Sequence, residues 1–276
     1  MILKKIELIK YKLVRFIESY PSLNLLIYNN IRFFKFLLPH EKDFYGMLLV
    51  CRNEKESVIL DIGANLGISS LGFRQLGFKN KIIIFEPNFY LYKYFLKKIF
   101  NKNTNILVNN FALGNKIENK FFYMPYYKSK FIHYFSSFDK KYILRSIKMT
   151  FPKIFKEFTL KKKLIKCRKF DSLNLRVKIH FVKIDTEGFD EFVIAGLKRT
   201  IKKEKPIILV EYNDEYFTSI ANQLKNYKPF VYNFHKNKMI KLNKNLIKNS
   251  VARISENNLL SVRNIYFIPD GYKFKC

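Results

Sequence analysis

Cysteine is scarce in this chain, and no cysteine stands close to another. The sequence of 276 residues has three cysteines, Cys51, Cys167 and Cys276, with no Cys-x-x-Cys pair and no Cys/His cluster. Disulfide frameworks need paired cysteines, and structural zinc sites need closely spaced ligands. The sequence therefore predicts neither a disulfide framework nor a structural zinc site of this kind. Its few, separate cysteines fit the reducing interior of a cell.

Long apolar runs are also missing. No run approaches the roughly 20 residues that cross a bilayer, and charges interrupt the N-terminal region too often for a signal peptide. We therefore expect a soluble, cytoplasmic protein. With 48% hydrophobic residues, a chain of this length builds one sizeable core. We expect a main domain at residues 46–276 behind an N-terminal extension at residues 1–45.

Acidic residues are few, since 22 Asp and Glu face 52 Lys and Arg and leave a net charge of +30. Such an excess ordinarily points to nucleic acid or to an anionic membrane. The chain also lacks tryptophan and is rich in Asn, Ile, Phe, Tyr and Lys, which is the bias of an AT-rich genome. We interpret most of the charge as solvated surface. A functional basic surface for anionic glycans, lipid head groups or nucleic acid is the alternative.

The N-terminal extension has the pattern of basic amphipathic helices. Apolar residues recur at three- and four-residue steps among lysines from Ile2 to Phe16, and again from Ile27 to Leu38. We expect these helices to pack on the main domain or on a second copy in a homo-oligomer. Peripheral attachment of residues 1–38 to the inner face of a membrane is the alternative.

From residue 57 onward, short apolar segments alternate with longer amphipathic ones. The pattern predicts strands at 57–62, 81–85, 106–108, 179–184, 207–210, 230–234 and 264–268, with helices at 67–76, 89–100, 190–201 and 214–224. This alternation predicts an α/β, Rossmann-like fold, with a mostly parallel seven-stranded sheet and helices on both faces. The aromatic and basic segment at about 117–165 is predicted to be a lid-like insertion, and 237–258 a loop or mobile hairpin.

The first strand runs into a turn with the spacing Asp61-x-Gly63-x-x-x-Gly67. The two glycines allow a sharp bend and a close approach of the backbone to a ligand. The spacing is not the Gly-x-Gly-x-x-Gly of dinucleotide sites. It favours the methionine moiety of S-adenosylmethionine, whose amino and carboxylate groups bind backbone amides, carbonyls and a nearby carboxylate.

Later segments complete the prediction of a nucleoside site. Glu86, after the second strand, stands where an acid binds both ribose hydroxyls, which disfavours an NADP-type cofactor; capping of the next helix is the alternative. Asn110 and Ala112 follow the third strand, where adenine would lie. The predicted cofactor-binding residues are Asp61, Gly63, Ala64, Asn65, Gly67, Glu86, Pro87, Asn110 and Ala112.

Six motifs follow one another in order: LDIGANLG at 60–67, FEPN at 85–88, NFAL at 110–113, FDSL at 170–173, VKIDTEG at 182–188 and PIILVE at 206–211. With them the chain resembles the FkbM family of S-adenosylmethionine-dependent methyltransferases over about residues 40–212. Residues 133–137 are similar to a serine-containing segment of that family. The resemblance implies O-methylation of sugar hydroxyls in glycans or glycolipids, or of hydroxyls in polyketide-like products.

Acids cluster at strand ends, and the candidate catalytic residues are Asp185, Glu211, Lys183 and Glu187. Lys183 lies inside a strand covered on both sides, so it needs a carboxylate partner, for which Asp185, Glu187 and Glu211 are the candidates. Asp185 is the first choice for a base or for an anchor of the substrate hydroxyl, and Glu211 the second. A divalent metal on these acids is an alternative that we do not favour, and a purely structural ion-pair network is another.

Two histidines are further candidates for a base. His133 lies in the insertion and could approach an acceptor hydroxyl, while His180 opens the fourth strand at the end away from the site. We interpret His180 as structural.

The leading hypothesis is a sugar O-methyltransferase in the biosynthesis of a surface polysaccharide or glycolipid. The alternatives are an RNA ribose methyltransferase, or another nucleic-acid-directed one, and a non-catalytic scaffold that binds the cofactor or a membrane. Nucleic acid is not the expected partner, because the fourth strand lacks an Asn-Pro-Pro-Tyr/Phe motif and no cysteine follows a proline.

Overall fold

A computed structural model describes residues 38–39, 41–53, 55–101, 105–242 and 263–274, together with the separate residues 9, 12, 13 and 16. The predicted N-terminal helical extension, residues 1–45, lies largely outside the described residues, and its packing stays a prediction. Within the described ranges, no helix has the length and hydrophobicity that crossing a membrane requires.

The strands, in chain order, are β1 (Ser57–Ile62), β2 (Lys81–Phe85), β3 (Ile106–Asn109), β4 (Ala112–Leu113), β5 (Glu118–Tyr127), β6 (Lys130–Phe131), β7 (Phe158–Arg168), β8 (Lys178–Ile184), β9 (Ile207–Glu211), β10 (Tyr227–Asn233), β11 (Lys238–Lys241) and β12 (Asn264–Pro269). The helices are α1 (Met47–Val50), α2 (Ile68–Gln75), α3 (the consecutive stretches Phe89–Leu91, Tyr92–Leu96 and Lys97–Phe100, of which the middle one is π-helical), α4 (Lys140–Thr150), α5 (Asp190–Gly196), α6 (Lys198–Glu204) and α7 (Asp214–Gln223). Short 3-10 turns lie at Lys42–Gly46, Phe155–Glu157 and Phe170–Ser172.

Over the described residues, the main sheet has eight strands in the order β11-β10-β12-β9-β8-β1-β2-β3. Strands β9, β8, β1, β2 and β3 are parallel, and β12, β10 and β11 run antiparallel. The predicted α/β, Rossmann-like fold is confirmed, but the predicted count of seven strands is wrong. The eighth strand, β11, lies in the segment predicted to be a loop or mobile hairpin, and it pairs antiparallel with β10. It is a four-residue edge strand in which two lysines flank Met239 and Ile240, too short for a periodic pattern.

The central strands are apolar because helices cover both of their faces. Every residue of β1 is buried, as expected for the middle of a parallel sheet. One face packs Ile59 and Phe181 against Phe73 of α2, and the other packs Leu60 and Val182 with residues of α5. The rings of Phe73 and Phe181 meet edge to face at 6.3 Å.

The segment predicted as a lid-like insertion has regular structure. Strands β5 and β7 form a long antiparallel pair within a second sheet of order β4-β7-β5-β6. Helix α4 packs Ile143 and Ile147 into a small separate core. The sequence pattern missed these strands because partly exposed aromatic rings and lysines occupy both of their faces. Movement of this insertion as a lid stays a prediction.

Candidate active site

A cleft lies at the carboxyl ends of β1, β2 and β8, where the strand order reverses. This is the usual ligand position in open α/β sheets. The cleft contains about 600 Å³ of empty space, part of it open to solvent. Seven predicted site residues line it: Gly63, Asn65, Glu86, Pro87, Ala112, Asp185 and Glu187. The other six, Asp61, Ala64, Gly67, Asn110, Lys183 and Glu211, do not belong to the lining.

The lining is acidic although the chain is strongly basic. Three carboxylate residues, Glu86, Asp185 and Glu187, face the cleft, and no Lys or Arg occurs among the described residues that line it. The remaining walls are largely apolar, with Phe85, Leu113 and other hydrophobic side chains. The cleft therefore offers a ligand several carboxyl groups together with apolar walls.

Gly63 is required by the approach of two strand ends. Its φ is +75°, and a Cβ at this position would lie 1.9 Å from the carbonyl oxygen of Asp185. The backbone N–H of Asp185 also donates to the carbonyl of Ile62, at 3.1 Å. The sequence attributed this glycine to the approach of a ligand. In the structure the nearest obstacle is the backbone of Asp185, so Gly63 joins the two walls of the cleft.

Lys183 carries a buried charge directly behind the cleft. Its Nζ lies 3.2 Å from Oδ2 of Asp185, the predicted partner, and 3.4 Å from Oδ1 of Asp61, which was not predicted as a partner. It also donates to the carbonyl of Gly63, at 3.2 Å. Burial alone would lower the pKa of Lys183, but the carboxylates of Asp185 and Asp61 outweigh it and raise the pKa. The ammonium therefore stays charged and orients Asp185.

Asp61 is fully buried, so it acts through its neighbours. Its Oδ2 accepts a hydrogen bond from the hydroxyl of Ser70, at 2.6 Å. Together with the ion pair to Lys183, this bond fixes the end of β1 to the first turns of α2. Gly67, with φ of +78°, directly precedes that helix, and a Cβ there would lie 2.7 Å from the ring of Phe100.

Glu86 connects two backbone turns. Its Oε2 accepts from the N–H of Asn65 and its Oε1 from the N–H of Asn88, both at 2.8 Å. Burial raises the pKa of Glu86 to about 7, and these two hydrogen bonds oppose the rise. Asn88, whose side chain accepts from the N–H groups of Tyr90 and Leu91, is the actual cap of α3. Glu86 supports that cap and also lines the cleft.

Asn110 contacts backbone groups at the same edge of the sheet. Its Nδ2 donates to the carbonyls of Glu86, at 2.9 Å, and Pro87, at 3.1 Å. Asn110 was predicted to lie near adenine. Its amide holds the turn after β2, and the neighbouring Ala112 and Leu113 line the cleft. A contact of Asn110 with adenine stays a prediction.

Other carboxyl groups near Asp185 have raised pKa values. Burial, and next the charge of Asp185, raise the pKa of Glu187 to about 8 and that of Asp190 to about 6. The same two causes raise the pKa of Glu211 well above its ordinary value. Glu187 also forms a hydrogen bond with Tyr142 of α4. Within the described ranges, no group of three His, Cys, Asp or Glu residues is arranged to hold a metal ion.

His133 and Asn65 form a reciprocal pair across the cleft. Nδ2 of Asn65 donates to the carbonyl of His133 at 2.9 Å, so its Oδ1 faces Nδ1 of the imidazole at 3.0 Å. That arrangement places the imidazole proton on Nδ1. Burial lowers the pKa of His133 to about 3. The ring is therefore neutral at pH 7, and it is too weak a base for the role considered from the sequence.

Two serines beside His133 have different surroundings. Ser137 donates to the carbonyl of Glu187 at 2.6 Å and is fully buried. Ser136 lines the cleft, and its hydroxyl is shielded from bulk solvent and has no hydrogen-bond partner among the described residues. The preceding Phe135 has φ of +63°. Strained residues of this kind collect at ligand sites.

Sequence reasoning missed three features of the cleft: the hydroxyl of Ser136, the contact of Tyr142 with Glu187, and the pairing of Asn65 with His133. The serine-containing segment at 133–137 was the available indication for the first. His180 lies in the first half of β8, away from the cleft, where its Nε2 accepts from the N–H of Arg52 at 2.8 Å. This position agrees with a structural role.

Solved structures that resemble this chain include two methyltransferases. A methyltransferase FkbM from Methylobacillus flagellatus KT is 14% identical with a TM-score of 0.47, over 89% of this chain and 54% of that one. A precorrin-6y C5,15-methyltransferase from Geobacter metallireducens GS-15 is 12% identical with a TM-score of 0.37, over 78% of this chain and 81% of that one. This chain thus spans about half the length of the M. flagellatus protein. No curated protein matches the chain.

A family match covers most of the domain that carries the cleft. Residues 61–234 match the methyltransferase FkbM domain, a stretch that runs from Asp61 in β1 to the residue after β10. This is well over half of the sequence. The chain therefore belongs to the FkbM methyltransferase domain family.

Proposed function

We propose that this protein is an S-adenosylmethionine-dependent O-methyltransferase that acts on a sugar hydroxyl in surface polysaccharide or glycolipid biosynthesis. The observation that carries the proposal is the cleft at the strand-order reversal, which both Glu86 and Asp185 line, with Asp185 held by the ammonium of Lys183. Membership of the FkbM family supports methyl transfer, and the family resemblance supports a sugar hydroxyl as acceptor.

The cleft fits the cofactor in its chemistry. Ligand sites combine apolar walls with a few polar groups, and this cleft has both. The unpaired hydroxyl of Ser136 points to a missing hydrogen-bond partner, because a buried unpaired polar group costs about 1–3 kcal/mol. Glu86, Asn65 and Ser136 would hold S-adenosylmethionine, with Phe85 and Leu113 as apolar walls. When bound, the cofactor supplies an electrophilic methyl group on a sulfonium centre.

Asp185 is the residue best placed to hold the acceptor hydroxyl and to take its proton. It lines the cleft, its side chain is 34% exposed, and the Lys183 ammonium fixes its orientation. Glu187, with a pKa of about 8, carries a proton at neutral pH and is the weaker acceptor. Glu211 lies outside the lining. A positioned base contributes roughly 10²–10⁴ in rate, and alignment of the reacting atoms contributes several kcal/mol more.

A nucleic-acid methyltransferase is the second candidate, and the net charge of +30 and the aromatic, basic insertion favour it. Phosphate backbones bind to Lys and Arg side chains. Among the described residues, no Lys or Arg lines the cleft, whereas three carboxylate residues do. This lining supports an acceptor without phosphate groups at the reacting centre.

The test follows transfer of a tritiated methyl group from S-adenosylmethionine by the full chain. Parallel reactions offer bacterial surface glycans, glycolipids and RNA as acceptors. Asp270→Asn is the control for Asp185→Asn, because Asp270 forms an exposed ion pair with Lys228 at the opposite end of the sheet. We expect label in the glycan or glycolipid fraction, lost in the Asp185 variant alone. Label in RNA would replace the proposed acceptor, and absence of cofactor binding would refute the proposal altogether.

A further inference from the structure

Helix α3 presents an outward surface of aromatic and basic side chains. We define the α3 face as its exposed residues Phe89, Tyr90, Lys93, Tyr94, Lys97 and Lys98. The three aromatic residues are 45%, 51% and 42% exposed. Large aromatic side chains are normally much more buried than this. The sequence contains no Asp or Glu between Glu86 and Glu118, so no acid of this segment offsets the three lysines.

The α3 face continues onto the second sheet. Nζ of Lys163 in β7 lies 5.2 Å from the ring centre of Phe89, and the ring of Phe131 in β6 meets that of Tyr90 at 5.8 Å. Strand β7 is equally free of acids, with Lys161, Lys162 and Lys163 in a row. The basic and aromatic character is therefore shared by two packed elements.

The α3 face lies beside the cleft. Pro87 and Leu91, which line the cleft, belong to the chain segment that precedes and begins α3. Phe122 of β5, from the second sheet, lines it as well. A partner that covers the α3 face would therefore sit next to the cleft opening.

We propose that the α3 face docks on the surface of an anionic lipid bilayer. Lysines near such a surface contribute about 1 kcal/mol each through the negative surface potential. Exposed aromatic rings prefer the interface between head groups and acyl chains. The three lysines and three aromatic rings of the α3 face supply both contributions on a single helix. This docking does not depend on the identity of the methyl acceptor.

The ring contacts favour a bilayer over a nucleic acid. Single-stranded nucleic acids bind by stacking bases on aromatic rings, which needs open ring faces. Here ammonium groups lie over the rings of Phe89 and Tyr94. Lys93 is 5.8 Å from the ring centre of Phe89 and 5.2 Å from that of Tyr94, and Lys98 is 5.8 Å from Tyr94. The same ammonium groups can contact lipid phosphates while the ring edges enter the interface.

The experiment measures co-sedimentation of the full chain with vesicles of phosphatidylcholine, with and without phosphatidylglycerol. The triple variant Lys93→Gln, Lys97→Gln and Lys98→Gln removes charge from the α3 face. A second triple variant is the control and removes the same charge at the other end of the sheet. It replaces three exposed lysines around a groove there: Lys198→Gln, Lys202→Gln and Lys225→Gln. A second comparison tests the aromatic rings. The double variant Phe89→Ser/Tyr94→Ser removes two rings of the α3 face, and its control is the double variant Phe121→Ser/Leu164→Ser at other exposed apolar residues. Circular dichroism verifies that each variant folds.

We expect binding that requires phosphatidylglycerol. Removal of the three α3-face lysines should weaken it roughly 10- to 100-fold, from about 1 kcal/mol per lysine with allowance for screening. The control triple variant should weaken it much less, and the aromatic pair should weaken it more than its own control. Equal loss in both lysine variants would overturn the proposal, as would unchanged vesicle binding in the α3-face variants. RNA binding of the same variants is measured in parallel by filter retention. Loss of RNA binding with retained vesicle binding would overturn the proposal and assign the α3 face to nucleic acid.

Discussion

The ammonium of Lys183 and the carboxylate of Asp61 lie 3.4 Å apart, both buried behind the candidate active site. The two residues are register partners in neighbouring parallel strands, β8 and β1. The same ammonium holds Asp185 at the edge of the cleft. Folding of the sheet and orientation of the proposed base thus depend on one positive charge.

Replacement of Lys183 by Met should destabilise the protein strongly. It leaves the Asp61 carboxylate buried without its counter-charge, and breaking a buried pair in this way costs about 3–5 kcal/mol. Urea unfolding of the variant measures the loss, and the exposed Lys166→Met is the control. A loss below about 1 kcal/mol would mean that the pair contributes little to stability.

Replacement of Asp185 by Asn should lower the turnover number far more than the stability. The amide keeps the size of the side chain but cannot accept the proton, so we expect a roughly 10²–10⁴-fold loss in kcat. Steady-state kinetics with the acceptor found by the labelling experiment, together with thermal unfolding, separates the two effects. An unchanged kcat would move the role of base to Glu211 or Glu187.

The two neighbouring serines should respond in opposite ways to alanine. Ser136→Ala removes an unpaired hydroxyl, so stability should not fall, while the affinity for S-adenosylhomocysteine should drop up to about tenfold, the value of one hydrogen bond. Ser137→Ala removes the bond to the Glu187 carbonyl and should lower the free energy of unfolding by about 1 kcal/mol or more. Calorimetric binding and thermal unfolding measure both quantities. If Ser136→Ala destabilises the protein and leaves ligand affinity intact, the hydroxyl has a structural role.

Stability should decrease from acidic to mildly basic pH. Burial raises the pKa of Glu187 from 4.5 to about 8, so across this interval the folded protein holds a proton that the unfolded chain has released. A group with a raised folded pKa stabilises below its unfolded pKa and loses that contribution as the pH rises through the folded value. Glu86, with a pKa of about 7, acts in the same direction.

Glu187→Gln tests this origin of the pH dependence. The Glu187→Gln variant should have the same free energy of unfolding as the wild-type protein near pH 4. Above pH 8 its free energy of unfolding should be about 1–2 kcal/mol higher, with allowance for partial exposure. Denaturant unfolding across this range measures the difference, with the exposed Glu157→Gln as control. Parallel pH curves for wild type and Glu187→Gln would contradict the assignment.

Methyl transfer should persist after treatment with EDTA. The Lys183 ammonium already neutralises Asp185 at 3.2 Å, which leaves little need for a divalent cation beside that carboxylate. Rates measured before and after chelation test this expectation. A loss that magnesium or calcium restores would favour the metal hypothesis considered from the sequence.

Much of the fold follows from local pattern. The predicted bounds of β1 and β2 agree with the structure, because a buried parallel strand is a continuous apolar run. The strands of the insertion and the edge strand β11 were missed. Aromatic and lysine residues alternate irregularly in β5 and β7, so these strands have no local hydrophobic period. The pairing of the two strands depends on long-range register.

The candidate site also has features that local sequence predicts and features that depend on tertiary contacts. The sequence by itself determined the glycine turn at residues 61–67, the acids at the strand ends and the need of Lys183 for a carboxylate, since backbone geometry and the cost of a buried charge are local demands. Only the tertiary structure decided that Asp61 meets Lys183, that Asn110 holds the backbone, and that His133 pairs with Asn65. Those contacts depend on strand order and register, which bring together residues far apart in the chain.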